Sequence, residues 1–100
     1  MSTLAIEIDI AGVENVSVTD DTLSVDLSDG RTIQAPTSWF PRLLYSTPEE
    51  RKNWSPIGKG QGIHWPDVDE DISVEALLAG KSSGESQQSL KKWLASRGVL

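Results

Sequence analysis

The segment Ile57–Gly80 reads IGKGQGIHWPDVDEDISVEALLAG. Glycines at alternate positions, Gly58, Gly60 and Gly62, lead into the only histidine of the chain, His64, followed by Trp65 and Pro66. Four acids come next, Asp67, Asp69, Glu70 and Asp71, and then Val74, Leu77 and Leu78 at helical spacing as far as Gly80. Glycine geometry makes the first part a turn. Ile63–Trp65 predicts a short strand, ended by a proline that cannot continue a ladder. Asp71 or Ser73 predicts the cap of a helix that Gly80 stops. The segment is thus a turn from strand to helix. Carboxylates at a helix start meet unpaired N–H groups and the positive dipole end. That role takes one or two acids, and the surplus points to a contact surface.

Upstream the pattern is β. Ile6, Ile8 and Ile10 alternate with Glu7 and Asp9, and Val16 and Val18 with Ser17 and Thr19. Leu23, Val25 and Leu27 follow, and the alternation resumes at Ile33 and Ala35 after Ser28-Asp29-Gly30. A period of two predicts half-buried strands, and Asp20-Asp21 and Asp29-Gly30 predict the turns. The first third is therefore an antiparallel meander with one wet, acidic face. Thr37 or Ser38 predicts the cap of a helix from Trp39 to Ser46, with Phe40, Leu43 and Leu44 on one face. Thr47-Pro48-Glu49-Glu50 is a capping box with proline at the first helical position. Trp54 to Ile57 is a further strand candidate, interrupted by Pro56.

Downstream, residues 82–86 read as a linker. Leu90, Trp93, Leu94 and Arg97 then recur at i, i+3, i+4 and i+7, which predicts an amphipathic last helix. The expected fold class is α+β: a small antiparallel β-meander with short helices packed on one face, plus the C-terminal helix. Residues 1–80 make one domain and 81–100 the linker and helix.

Composition narrows the function. One hundred residues make one small domain. The absence of cysteine excludes disulfides, thiolate metal sites and cysteine nucleophiles. No apolar run approaches the roughly 20 residues of a membrane span, and no secretory signal is read at the N-terminus, so the expected location is the cytoplasm. The net charge of −6 is uneven, with seven acids and no Lys or Arg in residues 1–30. An acidic body repels phosphate backbones, so direct nucleic-acid binding is not expected; it suits a basic protein partner. Richness in tryptophan, four in all, makes a homodimer a further expectation.

The chemical motifs fall short. Lys59 is followed by Gly60, so the glycine loop is no Walker loop, and it opens a strand rather than a helix, so it is no dinucleotide fingerprint. Acids 67–71 match the first positions of a calcium loop, but Ile72 and Leu78 stand where glycine and glutamate are required. His64, Asp67 and Asp69 remain a weak metal or hydrolytic candidate. His64 as a general base lacks a nucleophile set by any motif. No cofactor is expected. Trp39, Trp54 and Trp65 are assigned to the core. Trp93, beyond the linker, either docks on its own domain, the preferred reading, or anchors another chain.

Three strings carry a resemblance: Leu27-Ser28-Asp29-Gly30-Arg31 with Pro36, Trp39-Phe40-Pro41-Arg42-Leu43, and Thr47-Pro48-Glu49-Glu50-Arg51 with Trp54. Together with Gly60-x-Gly62-Ile63-His64-Trp65-Pro66-Asp67-x-Asp69-Glu70-Asp71-Ile72-Ser73-Val74, they resemble the bacterial family called domain of unknown function 2442, from about residue 13 to residue 80. The resemblance implies a small α+β module with no established activity. It also implies, for many members, partnership with a small neighbouring protein in a toxin–antitoxin-like pair. It supplies no catalytic residue. The expected function is a non-enzymatic interaction or regulatory module; a metal or hydrolytic site, or a transcription-associated role through a partner, is the alternative. The expected contact surface comprises His64, Trp65, Asp67, Asp69, Glu70, Asp71, Arg42, Arg51 and Trp93.

Overall fold

Leu23, Val25 and Leu27 set the first layer. They alternate with Thr22, Ser24 and Asp26 and are at most 1% exposed, each gaining about 1.5–3 kcal/mol from burial. A computed structural model describes residues 11–98. The predicted strand at Ile6–Ile10 lies outside them. The first sheet is the expected meander: β1 (Val13–Val18), β2 (Thr22–Leu27) and β3 (Thr32–Pro36), antiparallel in the order β1-β2-β3. β1 carries an irregularity at Glu14, between the pairs Val13–Leu27 and Asn15–Asp26. On the wet face, the Thr32 hydroxyl donates to Asp26 at 2.7 Å and the Gln34 amide to Ser24 at 3.0 Å, tying neighbouring strands.

The predicted helix from Trp39 to Ser46 is shorter than expected. A 3₁₀ turn spans Thr37–Trp39, and α1 is the single turn Pro41–Leu44. α2 (Pro48–Lys52) begins on the predicted capping box. The Glu50 N–H donates to the Thr47 hydroxyl at 3.1 Å, and the Thr47 N–H to the Glu50 carboxylate at 2.8 Å.

A second antiparallel sheet then forms, where sequence reading gave isolated strands. It consists of β4 (Ser55–Ile57), β5 (Gly62–Trp65) and β6 (Glu70–Ser73), in the order β4-β5-β6. Pro56 is tolerated because β4 is an edge. α3 (Val74–Leu78) follows β6 directly, and α4 (Gln87–Ser96) closes the described chain.

The sheets share one core, in which Leu23, Val25 and Leu27 meet Ile63, Trp65, Val68 and Ile72. Trp65 is fully buried, and its indole N–H donates to the Arg51 carbonyl at 3.1 Å. A backbone bond also joins the sheets, from the Val13 N–H to the Gly60 carbonyl at 2.9 Å. Gly60 has φ +83°, and a Cβ there would lie 3.3 Å from the Gly12 Cα. Only glycine answers both demands.

Of the tryptophans assigned to the core, Trp54 packs partly buried against it. Trp39 does not belong there. It is 38% exposed, because the tight turn at 37–39 sends Phe40 inward instead.

Candidate functional site

β6 is the element that most changes the reading of the acidic run. Glu70 and Ile72 point inward, whereas Asp71 and Ser73 point to solvent. The strand closes a hairpin with β5, pairing Trp65 with Glu70 and His64 with Asp71, and Asp69 turns the corner at φ +51°. No acid of the run caps α3. The cap is Ser73, whose hydroxyl accepts from the Ala76 N–H at 3.0 Å.

The nine expected contact residues therefore separate. Trp65 is interior. Arg51 is 9% exposed and spends its donors inside the chain. Its Nε donates to the Leu43 carbonyl at 3.0 Å, Nη2 to the Leu44 carbonyl at 3.0 Å and Nη1 to Asp20 at 2.9 Å. It thereby donates to the last two carbonyls of α1. Arg42 is likewise committed. Two of its nitrogens donate to Glu85, at 2.8 Å for Nη2, and Nη1 donates to the Val68 carbonyl at 3.1 Å. Both arginines were expected at a contact surface; both bind their own chain instead, because a guanidinium fork matches carbonyls and carboxylates inside the fold. The Arg42 guanidinium holds the Glu85 carboxyl below its ordinary range. Residues 82–86 are therefore anchored rather than a free linker.

Trp93 docks on its own domain. It packs partly buried against the core between two guanidiniums, Arg97 at 4.6 Å and Arg42 at 5.2 Å from the ring centre. Arg97 also donates twice to Glu50, at 2.6 and 3.0 Å, and this hydrogen bonding lowers the Glu50 carboxyl. Glu50 thus serves both as capping-box carboxylate and as the clamp for α4.

His64, Asp67, Asp69, Glu70 and Asp71 remain. His64 Nδ1 bonds the Asp71 carboxylate across the hairpin. Asp67 accepts from the Asn53 amide at 2.9 Å. Among the described residues, no three His, Asp or Glu side chains are placed to hold a metal ion. The metal candidate at His64, Asp67 and Asp69 is therefore not assembled, since strand pairing gives His64 to Asp71. Ser55 stands next to His64 in the β4–β5 register, completing a Ser-His-Asp row across the sheet. The Asp71 carboxylate orients the imidazole, and no hydrogen bond joins the Ser55 hydroxyl to His64.

Glu70, expected with its neighbours at a contact surface, is instead turned inward. It is 9% exposed, and no donor lies within hydrogen-bond distance of its carboxylate among the described residues. Burial raises its carboxyl to about 7, reinforced by the charge on Glu85 and opposed by Arg42. It lines a groove of about 340 Å³ with Phe40, Ile72, Ala76, Lys81 and Ser83. A polar residue at an inward position of a strand was the available signal; it could be read only once 70–73 was known to be a strand.

The hairpin, the glycine turn and the capping box all lie in the part of the chain that precedes α4, and comparison with known proteins bounds the same part. A profile described as protein of unknown function, DUF2442, matches residues 13–83. The chain belongs to this family. The DUF2442 match takes in both sheets and α3 and ends before α4. A crystal structure of a protein of unknown function from Rhodospirillum rubrum is similar, with a TM-score of 0.65 and 22% identity, over 79% of this chain and 98% of that one. A solution structure of an uncharacterised protein from Chromobacterium violaceum has a TM-score of 0.62 and 20% identity, over 88% and 77%. At these identities the likeness concerns the fold. None of the curated proteins compared with the chain matches it. Among the described residues, no helix is long and apolar enough to cross a membrane.

Proposed function

We propose that this DUF2442 chain is a non-enzymatic interaction module for a basic protein partner, in the antitoxin-like place of a two-gene pair. The supporting observation is where the arginines spend their charge. All four are ion-paired within the chain: Arg31 with Asp29, Arg42 with Glu85, Arg51 with Asp20 and Arg97 with Glu50. Asp69 and Glu75, on either side of β6, have no cationic partner among the described residues. The outward field is negative, which speeds encounter with a basic surface and disfavours phosphate backbones.

The test is co-purification. Tagged chain expressed at native level is expected to bring down one basic protein, the product of the adjacent gene, in a stoichiometric complex that weakens as salt rises. Recovery of the chain alone, as monomer or as homodimer by light scattering, overturns this reading.

A further inference from the structure

The groove beside Glu70 crosses the second sheet. Ile57, Gly62 and Ser73 are cross-strand neighbours and form one row of its lining, which continues to Ile72 and Glu70. Gly62 puts no side chain into that row; a Cβ there would lie 3.1 Å from the Ile57 side chain. Phe40, Ala76 of α3 and residues 81–83 complete the lining. Phe40 and Ile72 are almost wholly buried, whereas Ile57 leaves 41% of its surface open. Sites for small molecules are mostly apolar, with a few converging polar groups, and start at about 300 Å³. The groove, of about 340 Å³, has that size and that composition.

Glu70 is its polar anchor. The side chain is buried, and among the described residues it has neither an ion pair nor a hydrogen bond. Buried charges ordinarily have a partner, and the surroundings of Glu70 do not supply one. Arg42 acts on it through space but donates to Glu85 and to the Val68 carbonyl. Asp69, Asp71 and Glu85 add negative charge around it, and His64 is bonded to Asp71. Lys81 lines the groove, yet no salt bridge joins it to Glu70.

We propose that this groove binds a small organic ammonium ion, its cationic group on the Glu70 carboxylate and its apolar body against Ile57, Phe40 and Ile72. The carboxylate selects for positive charge, and covering the open surface of Ile57 favours an apolar body. Lys81 disfavours a second cationic group, so the site prefers monoamines to diamines. The ligand is a free molecule, so this site goes beyond the interaction reading and needs no partner chain.

The test uses the full chain, ¹⁵N-labelled, with phenethylamine as probe and phenethyl alcohol and phenylacetate as its neutral and anionic counterparts. Amide shifts on adding the amine are expected at Gly62, at Glu70–Ser73 and at 81–83. The amine is expected to bind about tenfold more tightly than the alcohol, and phenylacetate more weakly than either. Amine affinity is expected to rise as pH passes upward through about 7, where the empty Glu70 ionises while the amine stays protonated. Glu70→Gln, a neutral substitution of the same shape, is expected to weaken the amine about tenfold and leave the alcohol unchanged, which separates loss of charge from loss of fold. No shifts at about 10 mM amine, shifts centred on another surface, or equal binding of amine and alcohol overturns the proposal. So does equal amine binding by Glu70→Gln. A lysine capped at both ends is expected to bind more weakly than phenethylamine; tighter binding would assign the groove to a protein side chain and overturn the free ligand.

Discussion

The two sheets are alike in size and topology but opposite in how completely they satisfy themselves. In β1–β3 the inward row is aliphatic, and outward polar groups such as Thr32–Asp26 and Gln34–Ser24 bind each other across the strands. In β4–β6 an acid faces inward with no donor among the described residues, a histidine–aspartate pair stands outside, and two non-glycine residues, Lys59 and Asp69, adopt positive φ in its turns. Such residues typically cost about 1–3 kcal/mol each where backbone strain is held. One sheet is scaffold. The other carries the unspent chemistry, and its stability depends on what it is built around.

The largest way to break that contrast is to remove the anchor of the second sheet. Trp65→Ala deletes a fully buried side chain and the bond to the Arg51 carbonyl. It is expected to cost about 3–5 kcal/mol in urea denaturation, close to the whole stability of a domain this small.

Glu70 sharpens the contrast through pH. Its folded value of about 7 lies above the ordinary 4.5, so between these values the folded state holds the extra proton. This contribution to stability is complete at low pH and is lost as pH rises through the window, the reverse of a salt-bridged acid such as Glu50. A displacement of that size corresponds to at most about 3 kcal/mol. Glu70→Gln is expected to match the native chain near pH 4 and exceed it by about 1–3 kcal/mol near pH 8 in paired denaturation curves. Parallel curves across that range would refute the buried ionisation.

Gly60→Ala acts on the seam between the sheets. It places a Cβ at positive φ and 3.3 Å from the Gly12 Cα, with an expected loss of about 1–2 kcal/mol. At the small end, Gln34→Ala in the first sheet removes one exposed hydrogen bond to Ser24. It is expected to stay within about 0.5 kcal/mol.

Legibility in the sequence followed the same division. Alternation at Leu23, Val25 and Leu27 placed the first sheet, because there each side chain's polarity agrees with its side of the sheet. The capping box at Thr47 and Glu50 was readable because its partners are three residues apart. β6 was not readable. Glu70-Asp71-Ile72-Ser73 puts a carboxylate where the pattern wants an aliphatic group, so it passes for a helix start. The interior places of Arg42 and Arg51 were hidden for a related reason. Their partners, Glu85 and the carbonyls of Leu43 and Leu44, are defined by the tertiary fold rather than by local spacing. Family resemblance located the unit, and the hydrogen bonds then showed which of its polar residues face one another.

The seam at Gly60 also bears on the order of assembly. Within each sheet the paired strands are joined by the brief stretches 19–21, 28–31, 58–61 and 66–69, and closures so short come early and quickly. The bond from Val13 to Gly60 closes the chain across both sheets at once, a contact whose entropy must be met before it is rewarded. Two hairpin stacks are expected to form separately and meet late. Tightening or loosening that meeting would then change how fast the molecule comes apart far more than how fast it forms.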